Sequence, residues 1–237
     1  MRQHTLRLIW LAILIVVLAA CTGSKQSARS GPTSLNPSQT ATVRVSPSPA
    51  DRRAAEHAIL KLADVGSGFV QTPYQPTAQS ERDEAALSRC IGRPSATDHQ
   101  TAVVYSMQFS KGDSEKILAS ITFVDTDTSA QEDTVALQGA RGQACTKQSF
   151  LQQIAEAGDT ATATIEPLTP SPTGDATSAN YRILAQVLAG PETLPFIMDI
   201  VQVIKGRAEV SASFQDVNGS VPASLERHVM TVMLEKL

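Results

Sequence analysis

The sequence predicts an α+β fold: a mainly antiparallel sheet of about six strands covered by helices. Two kinds of periodicity point to it. Apolar residues recur at a spacing of three to four at both ends of the region from Asp51 to Leu237, and alternate with polar ones in its second half. The third observation is the order of elements: two helices, two strands, two helices, four strands and a last helix, with a tight-turn signal at Lys205-Gly206 where a parallel crossover would need a helix.

Asp51 is suited to cap a helix over 52–63, in which Ala55, Ala58, Ile59 and Leu62 share one face. Gly66-Ser67-Gly68 releases the chain, because glycine tolerates the left-handed backbone of a helix exit. A second helix spans 81–91 and carries Cys90 on its final turn, with Pro94 preventing continuation. Strands follow at 102–109 and 117–125, joined across Ser110 to Asp113. Helices over 129–139 and 144–157 come next, the latter carrying Cys145 near its start.

From Ala161 onward the pattern is that of strands, at 161–168, 180–189, 196–204 and 208–215. A Thr/Pro/Ser-rich surface loop over 167–178 separates the first two. Ile183, Ala185 and Val187 fall on one side of their strand, and Arg182, Leu184 and Gln186 on the other. In the last strand Ala208, Val210, Ala212 and Phe214 point inward, and Glu209, Ser211, Ser213 and Gln215 outward. The final helix, 222–236, carries Leu225, Val229, Val232 and Met233 as its core stripe.

The N-terminus is of a different kind. Arg2 and Arg7 precede an apolar run, Leu8 to Leu18, whose 11 residues fall well short of the roughly 20 that span a bilayer. Leu18-Ala19-Ala20-Cys21 reads as a lipobox, which makes residues 1–20 a signal peptide and Cys21 the lipidated residue. The tract after it, to Ala50, is mostly Ser, Thr, Pro, Gln and Ala, with too few large apolar groups to offset its ordering entropy. It reads as a disordered tether with an r.m.s. span of roughly 30 Å, and Ser/Thr/Pro tracts outside the cell can carry O-linked sugars.

Charge divides between the two parts. The tether has Lys25, Arg29 and Arg44 and no acid, a net +3, whereas the 187 residues from Asp51 carry −8. The basic tether suits an anionic membrane surface, and the acidic domain argues against nucleic acid, which demands cationic phosphate contacts. Trp10 leaves with the signal, so the mature chain has no tryptophan. With Cys21 used by lipid, Cys90 and Cys145 form the one possible intramolecular pair in an oxidising compartment; two buried free thiols are the alternative.

No constellation points to catalysis, a cofactor or a metal. His57, His99 and His228 are isolated and lack ligand spacing, and no nucleophile elbow, phosphate-binding loop or dinucleotide fingerprint is present. Asp125, Asp127, Glu132 and Asp133 read as capping groups and a solvated helix face. Asp199 stands out, because Phe196 to Val201 otherwise reads as a central strand and a buried lone carboxylate is costly. A turn at Lys205-Gly206 would set Asp199 roughly opposite Ala212, where it could line a small polar pocket with Arg182 as partner; the other reading has it facing solvent.

These features together resemble the actinobacterial, mycobacterial-type cell-envelope lipoproteins. The resemblance is carried by the lipobox at Cys21, the tether, the segment LADVGSGF at 62–69, the cysteines in LSRCIG and GQACT, and the hairpin IMDIVQVIKGRAEV at 197–210. The domain also resembles the extracellular sensor regions of mycobacterial serine/threonine kinases and the PsbP-like α+β fold, although those sensor regions carry two disulfides and this chain has cysteines for one. The resemblance implies an extracytoplasmic binding or sensing module and carries over no catalytic residue; the lipobox, the tether, the α+β pattern and the lack of a catalytic set point to a non-enzymatic domain on the cell membrane, anchored through Cys21, with a small ligand, lipid or envelope protein as partner. A lipid or glycolipid carrier is the alternative, with Ala185, Ala208 and Ala212 leaving room for a cavity, and an unrecognised hydrolase comes third.

Overall fold

Alternating residues in the second half of the chain build the centre of an eight-stranded antiparallel sheet in the computed structural model. The structure describes residues 46–93, 98–168, 173, 177–217 and 219–237; the signal, Cys21, most of the tether, Pro94 and most of the Thr/Pro loop lie outside the described residues. The strands are β1 (Val70–Thr72), β2 (Gln100–Tyr105), β3 (Gln108–Lys111), β4 (Glu115–Val124), β5 (Thr160–Pro167), β6 (Ser178–Ala189), β7 (Glu192–Lys205) and β8 (Ala208–Val217). Their order across the sheet is β1-β3-β4-β8-β7-β6-β5, with β2 also paired to β4.

Eight strands rather than six arise for two reasons. The three-residue β1 is too short to show a period, and it pairs with β3 through Val70 and Ser110. The run 102–109 is broken at Ser106, so that β2 and β3 pair in succession with β4. Ser106 bridges the break: its backbone N–H reaches the Ala119 carbonyl at 2.9 Å, and its hydroxyl accepts from the Ala119 N–H at 3.0 Å.

The β7–β8 hairpin also differs from expectation. Its two turn residues are Gly206 and Arg207, with Lys205 facing Ala208, and Asp199 therefore stands opposite Phe214 rather than Ala212. Gly206 has φ 59°, and a two-residue hairpin loop needs positive φ at its first central position, which places the glycine first.

Helices cover both faces. On one face lie α1 (Pro49–Ala58), α2 (Leu62–Val65) and α6 (Ala223–Lys236), which enclose Phe109, Ile117, Ile121, Val201, Val203, Val210 and Phe214 with Val229, Met230 and Met233. On the other, α5 (Ala140–Glu156) brings Phe150 and Ile154 onto Tyr181, Ile183, Phe196, Met198 and Ile200. Before α5 come α3 (Ala78–Ile91) and α4 (Asp127–Gln138). The outward-facing β8 residues of the sequence reading are in fact covered: Ser211, Ser213 and Gln215 are buried and Glu209 is half-buried.

Local chemistry sets the helix ends. Ser48, not Asp51, caps α1, accepting from the Asp51 N–H at 3.2 Å, with Pro49 in the first turn where its missing N–H costs nothing. Asp51 instead holds Arg207 at 2.8 Å and the Thr101 hydroxyl at 2.5 Å, which ties α1 to the hairpin turn and to β2. Burial alone would raise its carboxyl, but these partners, Arg207 foremost, hold it below the usual range. Gly142 lies where α4 turns into α5; a Cβ there would come within 2.2 Å of the Ala136 carbonyl oxygen, so only glycine fits.

Cys90 of α3 and Cys145 of α5 form a disulfide, with Cα atoms 5.8 Å apart and a sequence separation of 55. Polar contacts extend this seam, since Asp83 accepts from Gln79 at 2.8 Å and from Gln153 at 3.2 Å. A loop of that length is worth about 4 kcal/mol in the chain-entropy model. Replacing both cysteines by serine is expected to lower unfolding free energy by roughly 2–4 kcal/mol and to speed amide exchange in α3 ahead of the sheet. Chemical denaturation and hydrogen exchange measure the two effects, and equal stability with and without the bond would contradict the expectation.

Candidate functional site

Three polar or solvent-open features on the sheet can carry chemistry. The first is the pair that the sequence singles out. Arg182 and Asp199 are directly opposed in the β6–β7 ladder and share the α6 face. Nε and one terminal nitrogen of Arg182 each donate to a different oxygen of Asp199 at 2.6 Å, a two-pronged ion pair. The Asp199 side chain is fully buried, whereas Arg182 keeps 24% of its own exposed, so the solvent-facing reading of Asp199 is overturned. The contact with Asp199 is also the main influence holding the Arg182 guanidinium above its ordinary value.

Glu226, in the first turn of α6, is the third member, and the sequence reading missed it. The buried residues of α6 are Glu226, Val229, Met230 and Met233, so the stripe is rotated from the predicted one and begins on a glutamate. The spacing of three, four and seven is visible in the sequence once a carboxyl is admitted to a core position. Glu226 is fully buried, and neither of its oxygens meets an N–H or O–H donor. Burial raises its carboxyl strongly, and the adjacent Asp199 raises it further.

A second cluster occupies the opposite face. Arg93, just beyond α3, donates Nε to Asp133 of α4 at 2.8 Å and a terminal nitrogen to Glu132 at 2.8 Å. His99 Nε2 lies 2.6 Å from the other Asp133 oxygen, and that hydrogen bond holds the imidazole above its usual value. Glu209 of β8 completes the group, its carboxyl pushed up to about 8 by burial and by the charge of Asp133. His99 and Asp133, expected at the surface, thus join helix α4 to the sheet.

The third feature is a groove of about 410 Å³ on β5, β6 and β7, lined by Thr162, Ala163, Thr164, Leu184, Ala185, Gln186, Pro195, Phe196 and Ile197. By strand alternation Thr162, Thr164, Leu184, Gln186, Pro195 and Ile197 share the face of Arg182 and Asp199, which places the groove where α6 no longer covers the sheet. Leu184 and Ile197 are half-buried, while Thr162, Thr164, Gln186 and Pro195 are exposed. The groove starts one same-face residue beyond Arg182 and Asp199, and neither of them lines it, so the polar pocket expected around this pair is instead a closed ion pair beside an uncharged groove. Of the three alanines expected to leave room for a cavity, Ala185 lines this groove, while Ala208 and Ala212 are buried and do not.

The described residues contain no grouping of three or more His, Cys, Asp or Glu side chains placed to hold a metal ion. No helix among them is long and apolar enough to cross a membrane.

No protein-family model matches the sequence, and comparison with curated proteins finds no match. Among solved structures, the chain is similar to the crystal structure of the extracellular domain of PknH from Mycobacterium tuberculosis, at a TM-score of 0.41 and 9% identity, covering 78% of this chain and 95% of that one.

The Arg182–Asp199 pair yields a direct expectation. Arg182→Met strands a fully buried carboxylate and is expected to cost about 3–5 kcal/mol, as for buried pairs that lose one partner. Arg182→Lys, which keeps the charge and loses the two-pronged geometry, should recover part of that loss. Urea denaturation reads both; a cost below about 1 kcal/mol for the methionine variant would mean that solvent screens the pair as at an exposed site.

Proposed function

We propose that this protein is a membrane-tethered, extracytoplasmic binding domain without catalytic activity, held to the membrane by lipid on Cys21, and that its ligand site is the groove on β5–β7. The observation that carries the reading is the lining of that groove. Its volume of about 410 Å³ falls within the range of small-molecule sites. Leu184, Pro195 and Ile197 offer an apolar floor, and the Thr162 and Thr164 hydroxyls with the Gln186 amide offer hydrogen bonds at its rim. Not one lining residue is ionisable. Such a surface favours a neutral amphiphile with an apolar body and hydroxyl or amide groups, and gives a charged ligand no partner for its charge.

The disulfide supports an oxidising compartment, in keeping with the lipobox and the basic tether. A carrier of lipid or glycolipid has less support, because the groove is open to solvent along Thr162, Thr164 and Gln186 and would leave an acyl chain half wetted. Catalysis has less still: of the described titratable side chains on this face beside the groove, Arg182 and Asp199 are held in their ion pair and Glu166 stands alone, with no second group placed to work with it in the groove lining.

Two measurements test the reading. The neutral fluorophore N-phenyl-1-naphthylamine is expected to bind the mature protein, and Ile197→Arg to weaken binding by at least about tenfold, or 1.4 kcal/mol. Unchanged binding in that variant would move the site elsewhere. For the anchor, Cys21→Ser is expected to shift the exported protein from the detergent phase to the aqueous phase on detergent partitioning, and a variant still retained with detergent would contradict lipidation at Cys21.

A further inference from the structure

The buried carboxyl cluster at Asp199 and the half-buried one at Asp133 have the same construction, one on each face of the sheet. In each, an arginine holds an aspartate, and a glutamate that lacks any N–H donor for at least one oxygen lies against that aspartate. We infer that Glu226 and Glu209 each retain a proton in the folded domain and share it with Asp199 and Asp133 respectively, so that α6 and α4 are latched to opposite faces of the sheet by hydrogen bonds that exist only while those protons are bound.

No N–H or O–H donor reaches either Glu226 oxygen or Glu209 Oε1. Glu226 is faced by Asp199 from β7 and by Arg182 from β6, with Arg227 on its own helix and Glu166 of β5 acting on Arg182. Arg182 already spends two donors on Asp199. With all three groups ionised the cluster would bury a net negative charge; with one proton on Glu226 it is neutral, and the approach of two carboxyls becomes a hydrogen bond. Glu209 is faced by Asp133 from α4, and beyond it stand Arg93, His99 and Glu132. Arg93 is shared between Asp133 and Glu132, and Glu209 Oε1 is left without a donor. A proton on Glu209 supplies the one that is missing.

The sign of the pH dependence follows. A carboxyl that binds its proton more tightly folded than unfolded contributes stability that is complete below its unfolded value, 4.5 for glutamate, and is lost as pH rises through the folded value. For Glu209 that loss runs from pH 4.5 to about 8. His99 works in the same direction, and so does Glu84, whose burial and proximity to Glu81 push it up to about 8. Asp51 and Asp64, held low by Arg207 and Lys236 against the effect of burial, lose their contribution only in stronger acid. The domain is therefore firmest in mild acid, and alkali loosens α6 and α4 first.

Because Glu84 and His99 add slope of their own, the test has to be specific to each site. Carbon-13 carboxyl resonances of the mature protein, assigned through bonds in the wild type, should show Glu226 and Glu209 titrating above pH 7. Thermal unfolding is expected to fall by roughly 5–10 °C between pH 5 and 8, with Glu226→Gln and Glu209→Gln each removing part of the slope. Amide exchange, corrected for its intrinsic pH dependence, should quicken with alkali in α6 for the wild type and not for Glu226→Gln. Titration of both resonances near the ordinary glutamate value would overturn the latches, as would Gln variants that keep the full wild-type slope. The wild-type resonances decide the matter even where a variant does not fold.

Discussion

The sheet is covered on both faces, and most of what is unusual about this domain follows from that constraint. In β7, Val201 and Val203 serve one core while Phe196, Met198 and Ile200 serve the other, so consecutive residues are alike in burial though opposite in direction. A sheet wetted on one face could leave polar residues of the other parity in water. Here Asp199, Gln202, Ser211, Ser213 and Gln215 are enclosed with the rest and must find partners inside the protein. Gln202 does so across the layers, donating to the Thr134 hydroxyl of α4 at 2.8 Å and accepting from Ser211 at 3.3 Å. Such contacts fix which helix lies over which strand, a selectivity that two apolar surfaces alone would not supply.

The same constraint governs how much of the structure was legible in the sequence. The four strands after residue 160 and the final helix could be read because their periods are long and the turn residues between them are few. The β6–β7 ladder, with Arg182 opposite Asp199, could be read as far as the pair itself. The hairpin register could not, because Lys205-Gly206-Arg207 allows two turns; the observed one puts glycine, not Lys205, at the first central position, where φ must be positive. Alternation in β8 was assigned an outward face that does not exist, since serine and glutamine at every second position look the same whether water or α4 covers them. Glu226 carries no local signal of burial, because a glutamate on a helix is ordinarily solvated. What places it inside is the Arg182–Asp199 pair, 27 residues or more away in sequence, and no local pattern records that contact.

Among the described residues, coverage is incomplete at the groove, and the location is informative. The face that α1, α2 and α6 enclose over β4, β8 and the second half of β7 is left open over β5 and the adjoining parts of β6 and β7. The boundary between the covered and the open part runs through the Arg182–Asp199 pair. On one side of it Val201 and Val203 are packed beneath helices; on the other Leu184 and Ile197 meet solvent. A charge pair at that line does what a further apolar pair could not. It ends the covered core on a polar side chain, Arg182, that reaches solvent, and Glu226 in the first turn of α6 lies beside it.

The open groove and the latched helix consequently share one set of neighbours, with Leu184 two residues from Arg182 and Ile197 two residues from Asp199 on the same strands. Side chains so spaced on one face of a strand are about 7 Å apart. Any ligand seated on Leu184 and Ile197 would lie beside the pair that anchors α6, and would lower the local dielectric around it. Drying such a site strengthens the Arg182–Asp199 attraction and disfavours an ionised Glu226 alike. Occupancy of the groove and retention of the Glu226 proton then favour each other, and by linkage each must strengthen the other equally. A ligand at the proposed groove would thus be coupled to the docking of the last helix through the one pair that both adjoin.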